Sequence, residues 1–425
     1  MNKALLSALV LLLFGRLIFY YWVPQAPVKV FSGQVITGTL ASEPSLGPNS
    51  QRYSLNSIVA GLKGINIVSQ RYPELHYGDK VEIRVKNFEC KEIGGCTALF
   101  PELKLIAGDG TNSLLGGIYR FRRAVSTVYQ RNLPEPEAGL LSGMVLGDKA
   151  ALTPALKRTM RDAGLTHVVA ASGMNVSLIA GLGVAIATIF FNARRAAVLS
   201  VPLVWFYVLL SGGEAAVIRA GLMASFAFLA RFLGRPGSAR TGLVVAAALM
   251  LLVNPGLLSD LGFQLSVAST AGVLAGTGKF SQLNNIPVIG ESLFQTVLAQ
   301  AATFPILFAA FGKYNLFSVI INALTLWVVP YITVIGIFAG IAGLIWSELA
   351  RLFLIPAYFL LNYFVTVAGA LGAFPFLVIK IEGSGFWLSL GYYLLLVGIW
   401  GVYRSVKRGG GETDPHWREL VTQDL

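Results

Sequence analysis

From about residue 166 to residue 403 the chain passes through one long apolar run after another. Hydrocarbon offers the backbone no partners, so such runs must become helices that satisfy their own N–H and C=O groups. The whole sequence of 425 residues is 55% hydrophobic and 13% charged, with mean hydropathy +0.67, whereas soluble domains are about a quarter charged. The runs read as spans at 166–191, 196–212, 214–230, 241–253, 258–277, 290–311, 316–345, 350–372 and 385–403. Two of them meet at Gly212-Gly213, and 241–253 is too short to cross alone. Broken or re-entrant helices are therefore expected, and these are tolerated only around a protein-lined or wet cavity.

Charge sets the expected orientation. The formal net charge is +12. Arg194, Arg195, Arg231, Arg235, Arg240, Lys279, Arg404, Lys407 and Arg408 fall on alternate loops, and the intervening loops hold only Lys313 and Lys380. Residues 1–23 form an apolar helix with no small-x-small cleavage site before Pro24, which favours a retained anchor over a signal peptide. The positive-inside rule then places the N-terminus, the cationic loops and a polar tail at 405–425 in the cytoplasm of a multi-pass cell-membrane protein.

Residues 24–110 differ in character, being polar and near charge balance. Strand-like pieces occur at 28–40, 53–60, 65–70 and 103–107. After the turn at Tyr77-Gly78 a period-2 strand sets Val81, Ile83 and Val85 on one face. They suggest a small antiparallel barrel, OB-like in size, on the extracytoplasmic side. Such barrels can bind single strands on aromatic and basic faces, but mixed charge without an evident aromatic platform favours a structural or docking role. There Cys90 and Cys96 are a candidate short-loop disulfide. Residues 111–165 read as interfacial helices, the first amphipathic with Arg120, Arg122, Arg123 and Arg131 opposite an apolar stripe that suits a membrane surface.

The expected channel domain, 166–404, carries polar groups that need partners. His167, Ser172 and Asn175 have spacings that place them roughly on one helical face, either as a packing seam or facing water. Arg219 lies just past the Gly-Gly break; it either pairs with Glu214 or another acid or faces an anionic path. Asn254-Pro255 ends a span. Asp260 reads as the N-cap of the next, with Gln264 and Ser266 following as structural or cavity-lining groups. Pro305 and Pro330 imply kinks or breaks, and Asn322 is a buried amide. With two cysteines and three histidines, His76, His167 and His416, neither a metal site nor a multi-histidine nuclease centre is expected, and no cofactor is implied. Gly276-Thr-Gly-Lys279 lacks the leading Gly and following Ser/Thr of a P-loop, so no nucleotide motor is read. No catalytic residues are assigned.

Taken together these motifs resemble the ComEC family of competence DNA-uptake channels. The pieces are Leu146-Gly147-Asp148-Lys149, Gly164-Leu-Thr-His167 with Ser172-Gly173, Arg219-Ala220 with Met223, Asn254-Pro255 with Asp260 and Gly262-Phe-Gln-Leu-Ser266, and the Pro305–Pro330 stretch with Asn322. The resemblance covers roughly 138–345, and the barrel fits that family's external domain. It implies passage of single-stranded DNA inward during transformation, with a cytoplasmic ATPase motor, a surface DNA receptor and a separate nuclease as partners beside the lipid bilayer. Two departures are visible: Asn175 stands where relatives commonly carry His, and the nuclease-like C-terminal domain of many relatives is not seen. The competing readings are a secondary transporter of a small anion and a non-transporting membrane scaffold.

Overall fold

The first apolar run forms α1 (Lys3–Trp22), whose Leu13 packs against a cluster of Met250, Leu251 and Phe263. The computed structural model describes residues 3–22, 35–40, 44–46, 50–57, 63–84, 87–91, 95–107, 114–169, 172–235, 237–276, 289–311, 313–315, 317–373, 378–380, 391–395 and 398. The expected last span is thus described only in part, and the tail at 405–425 and Val85 lie outside the described residues.

The polar N-terminal region is a sheet of β1 (Val35–Leu40), β2 (Ser45–Leu46), β3 (Ser50–Ser57), β4 (Lys63–Gln70), β5 (Lys80–Arg84), β6 (Asn87–Lys91), β7 (Gly95–Leu99) and β8 (Glu102–Ala107). Strand order is β6-β7-β4-β3-β1-β5-β8, with β2 on β3; β4 and β7 run parallel and every other pair antiparallel. Between β7 and β8 stand only Phe100, in the left-handed region at φ 45°, and Pro101. One bent strand therefore pairs with β4 through its first half and β5 through its second, which closes the sheet on itself. Alternation buries Ile36, Tyr53, Leu55, Ile67, Val81 and Ile83 inside. Cys90 and Cys96 sit opposite each other in the β6–β7 register, and their side chains lie outside the described residues.

The helical region begins with α2 (Leu114–Asn132), α3 (Glu137–Leu146) and α4 (Pro154–Asp162), the last opened as its Thr153-Pro154 signal implies, with Thr153 Oγ1 accepting from the Leu156 amide at 3.2 Å. It continues through α5 (Thr166–Val169), α6 (Gly173–Phe190), α7 (Ala193–Leu199), α8 (Val201–Leu210), α9 (Ala215–Phe232), α10 (Ala239–Val253), α11 (Leu261–Gly276) and α12 (Ile289–Phe311). After the short strand β9 (Lys313–Asn315) come α13 (Ser318–Thr325), α14 (Val329–Ile345), α15 (Ser347–Gly372) and the strand β10 (Val378–Lys380), which pairs antiparallel with β9. Among the described residues five segments are long and apolar enough to cross a membrane: Thr166–Phe190, Ala193–Leu210, Ala215–Phe232, Ser318–Ile345 and Ser347–Gly372. This is a multi-pass membrane protein.

The apolar stripe of α2, which suited a membrane surface in the sequence, is covered by protein over much of its length, Leu114 at its start remaining exposed. Val125 and Tyr129 are buried against α14, and the Tyr129 hydroxyl donates to the Gly336 carbonyl at 2.8 Å. The approach depends on small residues: a Cβ on Gly340 would stand 2.6 Å from Val125 Cγ1. The barrel leans on the same helix, with the Tyr77 and Tyr119 rings 5.1 Å apart.

Candidate functional site

Three helix ends meet beside Arg122 of α2: the ends of α3 and α8 and the start of α9. Gly147 (φ 67°) stops α3, and the Asp148 amide bonds back to the Ser142 carbonyl at 3.3 Å. That turn directs Asp148 towards Arg122 of α2, Nη2 to Oδ1 3.7 Å, while the same oxygen accepts from the Ala150 amide at 3.1 Å. α8 ends in the same manner: Gly212 (φ 84°) and Gly213 (φ 65°) donate to the Leu209 and Val208 carbonyls, two consecutive left-handed residues that side chains resist. The next residue, Glu214, receives Lys149 Nζ at 2.8 Å. The Arg122 guanidinium lies against Gly212. The Tyr207 hydroxyl is buried beside Asn175, with Arg122 and Glu214 close enough to act on its charge.

The expected common helical face of His167, Ser172 and Asn175 is not formed. Ser172 is extended (φ −107°, ψ 163°), so His167 belongs to α5 and Asn175 to α6. Asn175, expected to line a path, is 1% exposed; its Nδ2 donates to the Met144 carbonyl at 2.6 Å and its Oδ1 accepts from Ser172 Oγ at 3.4 Å. It ties α6 to α3. That is the packing alternative, favoured because a buried amide costs about 1–3 kcal/mol when unpaired. His167 is exposed.

Arg219 sits on α9 and is 7% exposed. Its Nε and Nη1 have no hydrogen-bond partner among the described residues. The expected alternative, an ion pair with Glu214, is not formed; Glu214 pairs with Lys149 instead. Instead the guanidinium reaches the first turn of α6, where a Cβ on Gly173 would stand 3.3 Å from Nη2.

Further along, Asp260 caps α11 as expected, its Oδ1 accepting from the Phe263 amide at 2.7 Å, and Asn254 Oδ1 accepts from the Gly256 amide at 3.1 Å. Gln264, expected to line the path, donates to the Leu258 carbonyl at 2.7 Å, and Ser266 is 8% exposed with an unpartnered hydroxyl. Gln264 thus holds the start of α11 to the residues just before it. Pro305 lies within a continuous α12, while Pro330 opens α14 behind a 3-10 turn at Leu326–Val328. Asn322 is buried, donates to the Ser318 carbonyl at 2.7 Å and leaves Oδ1 without a partner among the described residues. Among the described residues no group of three His, Cys, Asp or Glu side chains could hold a metal ion.

A family profile described as "Competence protein" matches residues 144–406, more than half of the chain. The chain belongs to the competence protein family. The ComEC resemblance read from the motifs is thereby borne out. ComE operon protein 3 of Bacillus subtilis (strain 168) is similar to it, 24% identical over 237 residues, which are 56% of this chain and 30% of that protein. The chain thus matches under a third of that relative's length. No solved structure matches.

Within this competence-family chain, sequence reasoning passed over four groups. Arg122 was read only as part of a basic face and Lys149 only as part of a motif, because their acidic partners are distant in sequence. The others are Tyr72 and Phe100, 69% and 57% exposed, which border a cleft of about 270 Å3 on the barrel with Gln51, Ser69 and Glu102. The Arg71 guanidinium lies 5.8 Å from the Tyr72 ring centre. The readable signal was Tyr-Pro and Phe-Pro at turns, where a large ring has no strand face to bury.

Proposed function

We propose that the chain is a channel admitting single-stranded DNA during transformation, without bond-making chemistry of its own. The observation that carries this is Arg219: a cation enclosed in a candidate span, with two nitrogens unpartnered among the described residues and Glu214, the acid at the start of its own helix, paired with Lys149. Burying such a charge costs about 2.5–3.5 kcal/mol on insertion scales, which suits a path for a polyanion. The entry is the cluster of Arg122, Asp148, Lys149 and Glu214 beside the barrel. Strand order and the parallel β4–β7 closure support an OB-like barrel, and its cleft with Tyr72 and Phe100 offers stacking surfaces for unpaired bases.

The proposed orientation has both termini in the cytoplasm and the barrel outside. Contacts support it by joining segments that the charge rule puts on one side: β9 with β10, Arg240 Nη2 to the Leu274 carbonyl (3.3 Å), and Tyr21 with Ser259 (3.3 Å). A cytoplasmic ATPase motor, a surface DNA receptor and a separate nuclease complete the proposal. The test is uptake of labelled DNA into a nuclease-protected pool by transformable cells carrying the Arg219→Ala chain. Loss of uptake at normal protein level is expected. Normal uptake, or a loss of small-anion flux alone in reconstituted vesicles, rejects the reading.

A further inference from the structure

Resting on the strand-channel reading, we infer that the first turn of α6 and the Arg219 guanidinium form a binding site for a single phosphate group. Helix α6 spans Gly173–Phe190 and begins without a side-chain cap. Ser172 stands at the N-cap position, yet its hydroxyl donates to Asn175 Oδ1 rather than accepting from the helix. The amides of Asn175 and Val176 bond to the Ser172 carbonyl, whereas those of Gly173 and Met174 find no partner among the described residues. Unsatisfied amides at a helix start, together with the positive end of its dipole, bind anionic oxygens.

Arg219 is the second, independent observation. It is more than nine-tenths buried, lacks partners for Nε and Nη1 among the described residues, and abuts Gly173 through Nη2. Its planar donors and the two amides match the oxygens of a phosphate, which accepts from several donors at once. Gly173 is what allows the approach, since any larger residue puts a carbon 3.3 Å from Nη2. Glu214, the acid five residues before Arg219 on the same segment, is paired with Lys149. A phosphodiester of a passing strand, a lipid headgroup and free phosphate share this chemistry, and the experiment separates them.

The full chain, purified in detergent, is titrated with inorganic phosphate while phosphorus resonance broadening is followed. Competition is then measured with a short oligothymidylate and, separately, with phosphatidylglycerol nanodiscs. Arg219→Met and Gly173→Ala should each weaken phosphate binding roughly ten- to a hundredfold, the scale of charge-assisted hydrogen bonds. Gly173→Ala controls for misfolding of the arginine variant, because alanine fits a helix. The oligothymidylate should displace phosphate and the lipid should not; displacement by lipid alone keeps a phosphate site but removes the strand from it. Unchanged phosphate binding in both variants, or none in the parent chain, overturns the inference even if Arg219→Ala cells fail to take up DNA. Lost phosphate binding with intact uptake upholds the site and rejects the channel reading instead.

Discussion

Lys149 Nζ lies 2.8 Å from Glu214 Oε1, joining the loop after α3 to the start of α9. The pair is partly solvated, with side chains 56% and 29% exposed, so its value to stability is small. Its effect is positional: it occupies the carboxylate that a sequence reader would assign to Arg219.

Lys149→Ala should therefore leave thermal stability within about 1 kcal/mol of the parent. Phosphate binding should fall severalfold, because Glu214 is freed to approach the arginine. Adding Glu214→Gln to that variant should restore it. A phosphate titration of the three variants checks this, and failure of the double variant to recover contradicts the idea of a diverted acid.

The α2–α14 contact should be intolerant of volume. Gly340→Val drives side-chain atoms into Val125 and the Tyr129 hydroxyl, and should destabilise by about 1–3 kcal/mol. Tyr129→Phe deletes the bond to the Gly336 carbonyl and should cost about 1 kcal/mol. Thermal unfolding in detergent, followed by circular dichroism, should rank them in that order.

A pH effect is expected at Glu135. Burial pushes its carboxyl above the ordinary range and Glu137 adds to the rise, while the Gly139 amide opposes both. The folded chain thus holds this proton to higher pH than the unfolded chain. The contribution is fully present below the unfolded value of 4.5 and is lost as pH rises through the folded one. Glu135→Gln should melt above the parent at pH 7, with the gap closing as pH falls towards 4.5. A gap independent of pH would contradict this.

On the barrel, Tyr72→Ala with Phe100→Ala should weaken oligothymidylate binding by the equivalent of about 1–3 kcal/mol per stacked base. Melting temperature should barely move, since both rings are largely exposed. Fluorescence anisotropy of a labelled oligonucleotide on the full chain measures it. Equal affinity would leave the cleft without a role in strand capture.

The spans and the Asp260 cap were legible because both depend on local pattern: apolar length in one case, a side chain three residues from its amide in the other. Arg219 stood out because a cation amid hydrocarbon residues is costly wherever the chain goes. Its surroundings were not legible, since Lys149 meets Glu214 across a fold-dependent distance. The break at Ser172 escaped the periodicity because Gly173 and its neighbours read equally well as helix. The placing of α2 was written in the sequence as Gly340 and Gly343, and that of α3 as Gly336, a small-residue stripe that marks close helix approach.

That stripe has a consequence for the mouth of the molecule. Because α2 is gripped by α14, the barrel it carries takes its height from protein contacts and not from the headgroups beneath. Its standoff from the bilayer should stay constant as acyl chains lengthen or shorten, leaving the doorway indifferent to the thickness of the wall in which it is set.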